Sequence, residues 1–108
     1  MSYKIIPTPQ FEREVKKLSR KYPSVKEDLF KLFEELKENP TLGVSLTKNC
    51  FKIRLAIKSK GKGKSGGGRV ITHVRLVKES VHLLTIYDKS DQSTISDIEI
   101  NRFLENLE

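Results

Sequence analysis

The hydrophobic period of the chain changes near its middle. Between Thr8 and Tyr22, Phe11, Val15 and Leu18 fall at i, i+4 and i+7, one apolar stripe on a helix. Thr8-Pro9 offers an N-cap followed by proline at the first helical position, and Tyr22-Pro23 ends the segment. Ser24-Val25-Lys26-Glu27 has capping-box spacing and predicts a second helix. That helix carries Val25, Leu29, Leu32, Phe33 and Leu36 on one face and stops at Asn39-Pro40. From Phe51 the period is two. Phe51, Ile53, Leu55 and Ile57 alternate with Lys52, Arg54, Ala56 and Lys58, which predicts a half-buried strand with a cationic outer face. Positions 70–77 and 81–87 are apolar on both parities and read as central strands, joined as a hairpin by Lys78-Glu79-Ser80. Positions 3–6 add a short first strand. Ser96-Asp97-Ile98-Glu99 is a second capping box, opening a last helix with Ile100, Phe103, Leu104 and Leu107. The order β-α-α-β-β-β-α predicts an α+β domain, a mostly antiparallel twisted sheet packed on an N-terminal helical hairpin with a C-terminal helix.

The length of 108 residues fits one domain, residues 1–108, with no room for a second module. A chain 36% apolar and 32% charged is globular in composition. Its apolar runs are too short to cross a bilayer, so no membrane partner is expected. The N-terminus lacks the apolar stretch of a signal peptide, and the lone Cys50 excludes an internal disulfide framework. These features predict a cytoplasmic protein. The net charge of +7 matters less than its distribution. Positions 48–78 hold ten basic residues and no acidic one, whereas the remainder holds eleven basic and fourteen acidic. A surface that is only solvated usually mixes signs. This segregation concentrates a positive field and favours a polyanionic partner.

The most unusual stretch is Lys58-Ser59-Lys60-Gly61-Lys62-Gly63-Lys64-Ser65-Gly66-Gly67-Gly68-Arg69, expected as a loop between two strands. Glycines allow positive φ and leave N–H groups approachable, so such a loop can cradle an anion. Lys58, Lys60, Lys62 and Lys64 add mobile charge for phosphate, although a solvated hairpin tip uses the same residues. Arg69 can bind phosphate oxygens through two N–H groups. Gly63-Lys64-Ser65 is not a Walker A ending, because position 58 is lysine and a strand follows. Lys52 and Arg54 share a strand face, about 7 Å apart. With Arg69 they are expected to line a basic groove on the sheet face not covered by the helix pair. Arg75 is a further candidate for RNA contact. His73 and His82 lack clustered ligands and read as structural, and Cys50 reads as a small buried residue. Neither a metal nor a cofactor is implied.

The ordered set of motifs resembles the RelE/ParE superfamily of toxins from type II toxin–antitoxin systems, particularly its RelE/HigB-like branch. The helical hairpin, the Phe51-Lys52-Ile53-Arg54-Leu55 strand, the segment from Gly63 through Arg69 to Ile71, and Ile86-Tyr87-Asp88-Lys89-Ser90 before the last helix carry the resemblance. It implies a ribosome-dependent, metal-independent mRNA endonuclease. In that reaction the 2′-hydroxyl attacks the adjacent phosphorus, giving a 2′,3′-cyclic phosphate and a 5′-hydroxyl. By position the resemblance makes Lys52, Arg54, Arg69 and Lys89 the catalytic cations, with Arg69 stabilising the transition state. It implies a cognate antitoxin, the ribosome and mRNA as partners. Many RelE-type toxins place a tyrosine or histidine on the last helix, and residues 90–108 contain neither. Tyr87 either substitutes for it or is a core aromatic. Two alternatives stand beside the nuclease: a ParE-like inhibitor of DNA gyrase, and an RNA-binding homologue that has lost cleavage.

Overall fold

The computed structural model describes residues 2–61, 63–92 and 94–107. Strand β1 (Lys4–Pro7) leads into helices α1 (Pro9–Lys21) and α2 (Val25–Glu38). A two-residue strand β2 (Val44–Ser45) precedes β3 (Cys50–Leu55). The basic segment follows, then β4 (Gly68–Arg75), β5 (Ser80–Asp88) and a C-terminal helix over Asp97–Glu105. The sheet order is β1-β5-β4-β3-β2, with β1 parallel to β5 and every other pair antiparallel. The two strands that are apolar on both parities, β4 and β5, do occupy the centre. Strand β2 was not legible, being too short to show a period. It rests on Gly43, whose φ is +103° and whose Cβ would lie 2.5 Å from the Lys52 carbonyl oxygen.

Each sheet face has its own core. Ile53, Leu55, Val70, Val74, Val81, Leu83 and Ile86 face α1 and α2, where Phe11, Val25, Leu29, Leu32 and Leu36 bury their side chains. On the other face Cys50, Ile71, Leu84 and Tyr87 pack against Ile95 and Ile100. The C-terminal helix therefore covers much of the face expected to hold an open groove. A bulge in β5, opposite Ile71 and Thr72, shifts Leu84 onto that second core. Glu14 of α1 fills the bulge. Its Oε1 accepts from Thr85 Oγ1 at 2.7 Å and from the Ile86 N–H at 3.3 Å.

The helix starts differ in how they are capped. Thr8 Oγ1 accepts from the Phe11 N–H and donates to the Leu83 carbonyl, pinning α1 to β5. The Ser96–Glu99 capping box forms in full. The box expected at Ser24–Glu27 does not form. Ser24 Oγ donates instead to Asp28 Oδ2 at 2.7 Å and accepts the Ser59 N–H at 2.9 Å. A tertiary partner has displaced the local cap.

Candidate nucleic-acid interface

The segment between β3 and β4 is folded rather than irregular. A 3-10 turn covers Lys58–Lys60, and a short helical turn, α3, covers Gly63–Gly66; we call the C-terminal helix α4. Gly67 then passes so close to β3 that a Cβ there would sit 2.1 Å from the Leu55 carbonyl oxygen. The glycines of this segment thus serve close packing as well as turning. Beyond β2 an open groove of about 570 Å³ runs between α2 and β3. Lys52, Arg54, Lys58 and Lys64 line it with Lys31, opposed by Asp28 and Glu35. Arg54, Lys58 and Lys64 are exposed and Lys52 is half-buried.

Register places Arg54, Arg69 and Tyr87 in one row across β3, β4 and β5. Paired positions on antiparallel strands share a face, so the three side chains rise on the side that α4 covers.

No family model matches the chain. Its structure superposes on E. coli toxin RelE carrying two arginine substitutions, in the free state, with a TM-score of 0.66 at 18% identity over 100% of both chains. It superposes on a chain of the intact E. coli RelBE toxin–antitoxin complex with a TM-score of 0.62 at 22% identity, covering 81% of this chain and 96% of that one. For the RelBE2 toxin–antitoxin complex of Mycobacterium tuberculosis the TM-score is 0.60 at 16% identity, covering 82% and 99%. The chain has the RelE fold.

Within this RelE fold the expected cations separate into groups. Lys52, Arg54, Lys58 and Lys64 line the groove, with the Lys52 and Arg54 side chains set by register on the α4 side of β3, away from α2. Lys62 lies outside the described residues. Lys89 is exposed just past β5, where its N–H donates to the Gly67 carbonyl at 3.1 Å. Arg75 is not among the residues that line the groove; it ends β4, four residues beyond Ile71, the strand partner of Lys52.

Arg69 is not open to phosphate in this state. It is 4% exposed, and its Nη1 donates to the Lys64 and Gly68 carbonyls, both at 3.0 Å. Nη2 donates to the Ser65 carbonyl at 3.3 Å. The carbonyls of α3 have no helical donors ahead of them, and the guanidinium supplies those donors. Tyr87 is 8% exposed, and its hydroxyl has no hydrogen-bond partner among the described residues. Burial raises its pKa, against the Arg69 charge. It is a member of the α4-side core as well as of the arginine row.

Lys60 departs furthest from expectation. Its side chain is 6% exposed and paired with Asp88, whose side chain is 1% exposed. It also donates to Ser90 Oγ at 2.8 Å. Burial pushes the Asp88 carboxyl up, but hydrogen bonds from Lys60, the Ser90 N–H and Tyr22, with the Lys60 charge, bring it down to about 2. A second buried carboxylate, Asp28, accepts the Lys58 N–H at 3.1 Å. Sequence reasoning missed both acids as functional groups. A signal existed for Asp28: the helical period from Val25 to Leu29 and Leu32 puts it on the core side.

Cys50 is fully buried, with its thiol pushed up to about 11 by burial, so it is not a thiolate nucleophile at neutral pH. Its Sγ lies 3.7 Å from His73 Nδ1. Burial lowers the pKa of both His73 and His82, and their ring centroids are 6.5 Å apart. Among the described residues there is no cluster suited to a metal ion, and no helix is long and apolar enough to cross a membrane.

Proposed function

We propose that this protein is the toxin of a toxin–antitoxin pair and cleaves mRNA on the ribosome. The observation that supports the reading is that Lys52, Arg54, Lys58 and Lys64 all border one open groove of a RelE fold. The neighbouring structures are an E. coli RelE toxin and chains of two toxin–antitoxin complexes.

In this reading Lys52 and Arg54 neutralise the non-bridging oxygens of the scissile phosphate as charge builds there. Lys58 and Lys64 hold the flanking backbone without sequence preference. Lys89 borders the far side of the 58–67 segment. Arg69 positions the turn that carries Lys64, and it reaches phosphate directly only when that turn lifts from its guanidinium. Tyr87 enters proton transfer only if its hydroxyl is uncovered at the same time. An antitoxin that silences the groove would lay an acidic or amphipathic segment across it.

One observation favours a second reading. Arg69 and Tyr87 are both buried, which suits an RNA-binding homologue that has lost cleavage. A gyrase inhibitor is disfavoured by the retained Lys52 and Arg54. Induction in a bacterial host with primer-extension mapping separates the three. The nuclease reading predicts growth arrest with cuts inside translated codons, both lost in Lys52→Ala/Arg54→Ala. Arrest with intact transcripts and DNA damage would support gyrase. Salt-sensitive RNA binding without cut products would support the non-cleaving homologue.

A further inference from the structure

The Asp88–Lys60 pair joins parts of the chain distant in sequence. It links the 3-10 turn to the end of β5, and Tyr22, at the end of α1, completes it by donating to Asp88 Oδ2 at 3.0 Å. The Ser90 N–H donates to Asp88 Oδ1 at 2.9 Å. Lys21 approaches Asp88 Oδ2 at 4.0 Å from the surface. The Lys60 ammonium also lies 5.7 Å from the Tyr22 ring centroid. Next to this anchor, Ser24 and Ser59 clasp each other. Each backbone N–H donates to the other's hydroxyl, at 2.9 and 3.2 Å. The basic segment is therefore held at both ends, by Lys60 before Gly61 and by Arg69 after α3.

We propose that the Asp88–Lys60 pair is a positioning device for the basic groove, which fixes the Lys64-bearing turn and withholds the Lys60 charge from RNA. The proposal rests on the RNA reading above. A buried ion pair is costly to break, because the partner left behind keeps its desolvation without its counter-charge. An RNA phosphate that captured Lys60 would take the nearest counter-charge from a carboxylate whose side chain is 1% exposed. Lys60 therefore stays with Asp88 when RNA binds. Its neighbours Lys58 and Lys64, with exposed side chains, supply the electrostatic attraction.

Two variants test this. Binding to a short fluorescein-labelled single-stranded RNA is measured across a salt series, with ribosome-dependent mRNA cleavage measured alongside. Asp88→Asn frees the Lys60 ammonium, so the plot of log affinity against log salt steepens by about 0.7. Cleavage falls about tenfold or more as the turn loses its placement. Lys60→Gln leaves Asp88 with Tyr22, Ser90 and Lys21. Its salt slope stays at the wild-type value while cleavage falls. If Asp88→Asn does not fold, Lys60→Gln still decides the matter. A slope made shallower by about 0.7 in Lys60→Gln means that Lys60 touches RNA, and it overturns the proposal. Undiminished cleavage in Lys60→Gln overturns it too. A loss of thermal stability in both variants with unchanged slopes in both reduces the pair to a structural support, which also overturns it. If the wild type binds RNA but cuts nothing, the nuclease reading fails, while the slopes still judge the withheld charge.

Discussion

Lys60 and Lys64 belong to the same run of alternating lysines, four residues apart, and their surroundings are opposite. Lys60 is buried against Asp88, Ser90 and Tyr22, whereas Lys64 is exposed on a helical turn at the edge of the groove. Neither residue's sequence neighbours explain the difference. Carboxylates from distant elements do: Asp28 from α2 and Asp88 from the end of β5 anchor the first half of the segment. The second half is held from beneath by Arg69 through the Lys64 and Ser65 carbonyls, and Lys64 itself is exposed. A run of like charge thus divides into charge used to fold the segment and charge left for a partner.

The comparison can be broken by disturbing each half. The largest expected effect is from Gly67→Ala. A Cβ 2.1 Å from the Leu55 carbonyl oxygen forces the segment off β3, at a cost of about 3 kcal/mol in urea unfolding. An unfolding midpoint equal to wild type would show that the close approach is not needed. Acid comes next. The Asp88 carboxyl lies at about 2 when folded, below its ordinary value of 3.8, so its contribution is complete above pH about 4. That contribution, about 2 kcal/mol, is lost as pH falls from about 4 to about 2. In Asp88→Asn this part of the acid dependence is absent. An unchanged acid limb in the variant would assign the loss to other carboxylates. The smallest effect on stability is that of Lys64→Gln, within about 0.5 kcal/mol of wild type. There the RNA salt slope should become shallower by about 0.7, the reverse of Asp88→Asn. An unchanged slope would remove Lys64 from the interface.

Much of the fold was legible because it depends on local period. The stripes on α1 and α2 and the strand periods of β3, β4 and β5 form as the sequence predicts, but β3 stops at Leu55, short of Ile57, and β4 stops at Arg75, leaving Leu76 and Val77 exposed in a turn that ends at Glu79. What escaped was tertiary. The Ser24 cap gave way to Asp28 and Ser59, partners supplied by the fold. The C-terminal helix was foreseen, but not that it would cover the sheet face of Arg69 and Tyr87. Sequence placed Lys52, Arg54 and Arg69 in a groove on the sheet face away from the helix pair, whereas the groove that Lys52, Arg54, Lys58 and Lys64 line runs beside α2 and Arg69 is not part of its lining. Sequence also assigned Lys60 and Arg69 to phosphate, because it counted charge without seeing the buried carboxylate and the carbonyls that engage them.

The central claim is that the groove of Lys52 and Arg54 acts on RNA in the ribosome. The most direct measurement is cleavage of an mRNA by the purified protein on programmed ribosomes, comparing wild type with Lys52→Ala/Arg54→Ala. The wild type should produce fragments with 2′,3′-cyclic phosphate ends within codons. The double variant should cut about 100-fold more slowly or less, with unfolding unchanged. Equal cleavage by a folded double variant, or intact mRNA with the wild type, would contradict the claim.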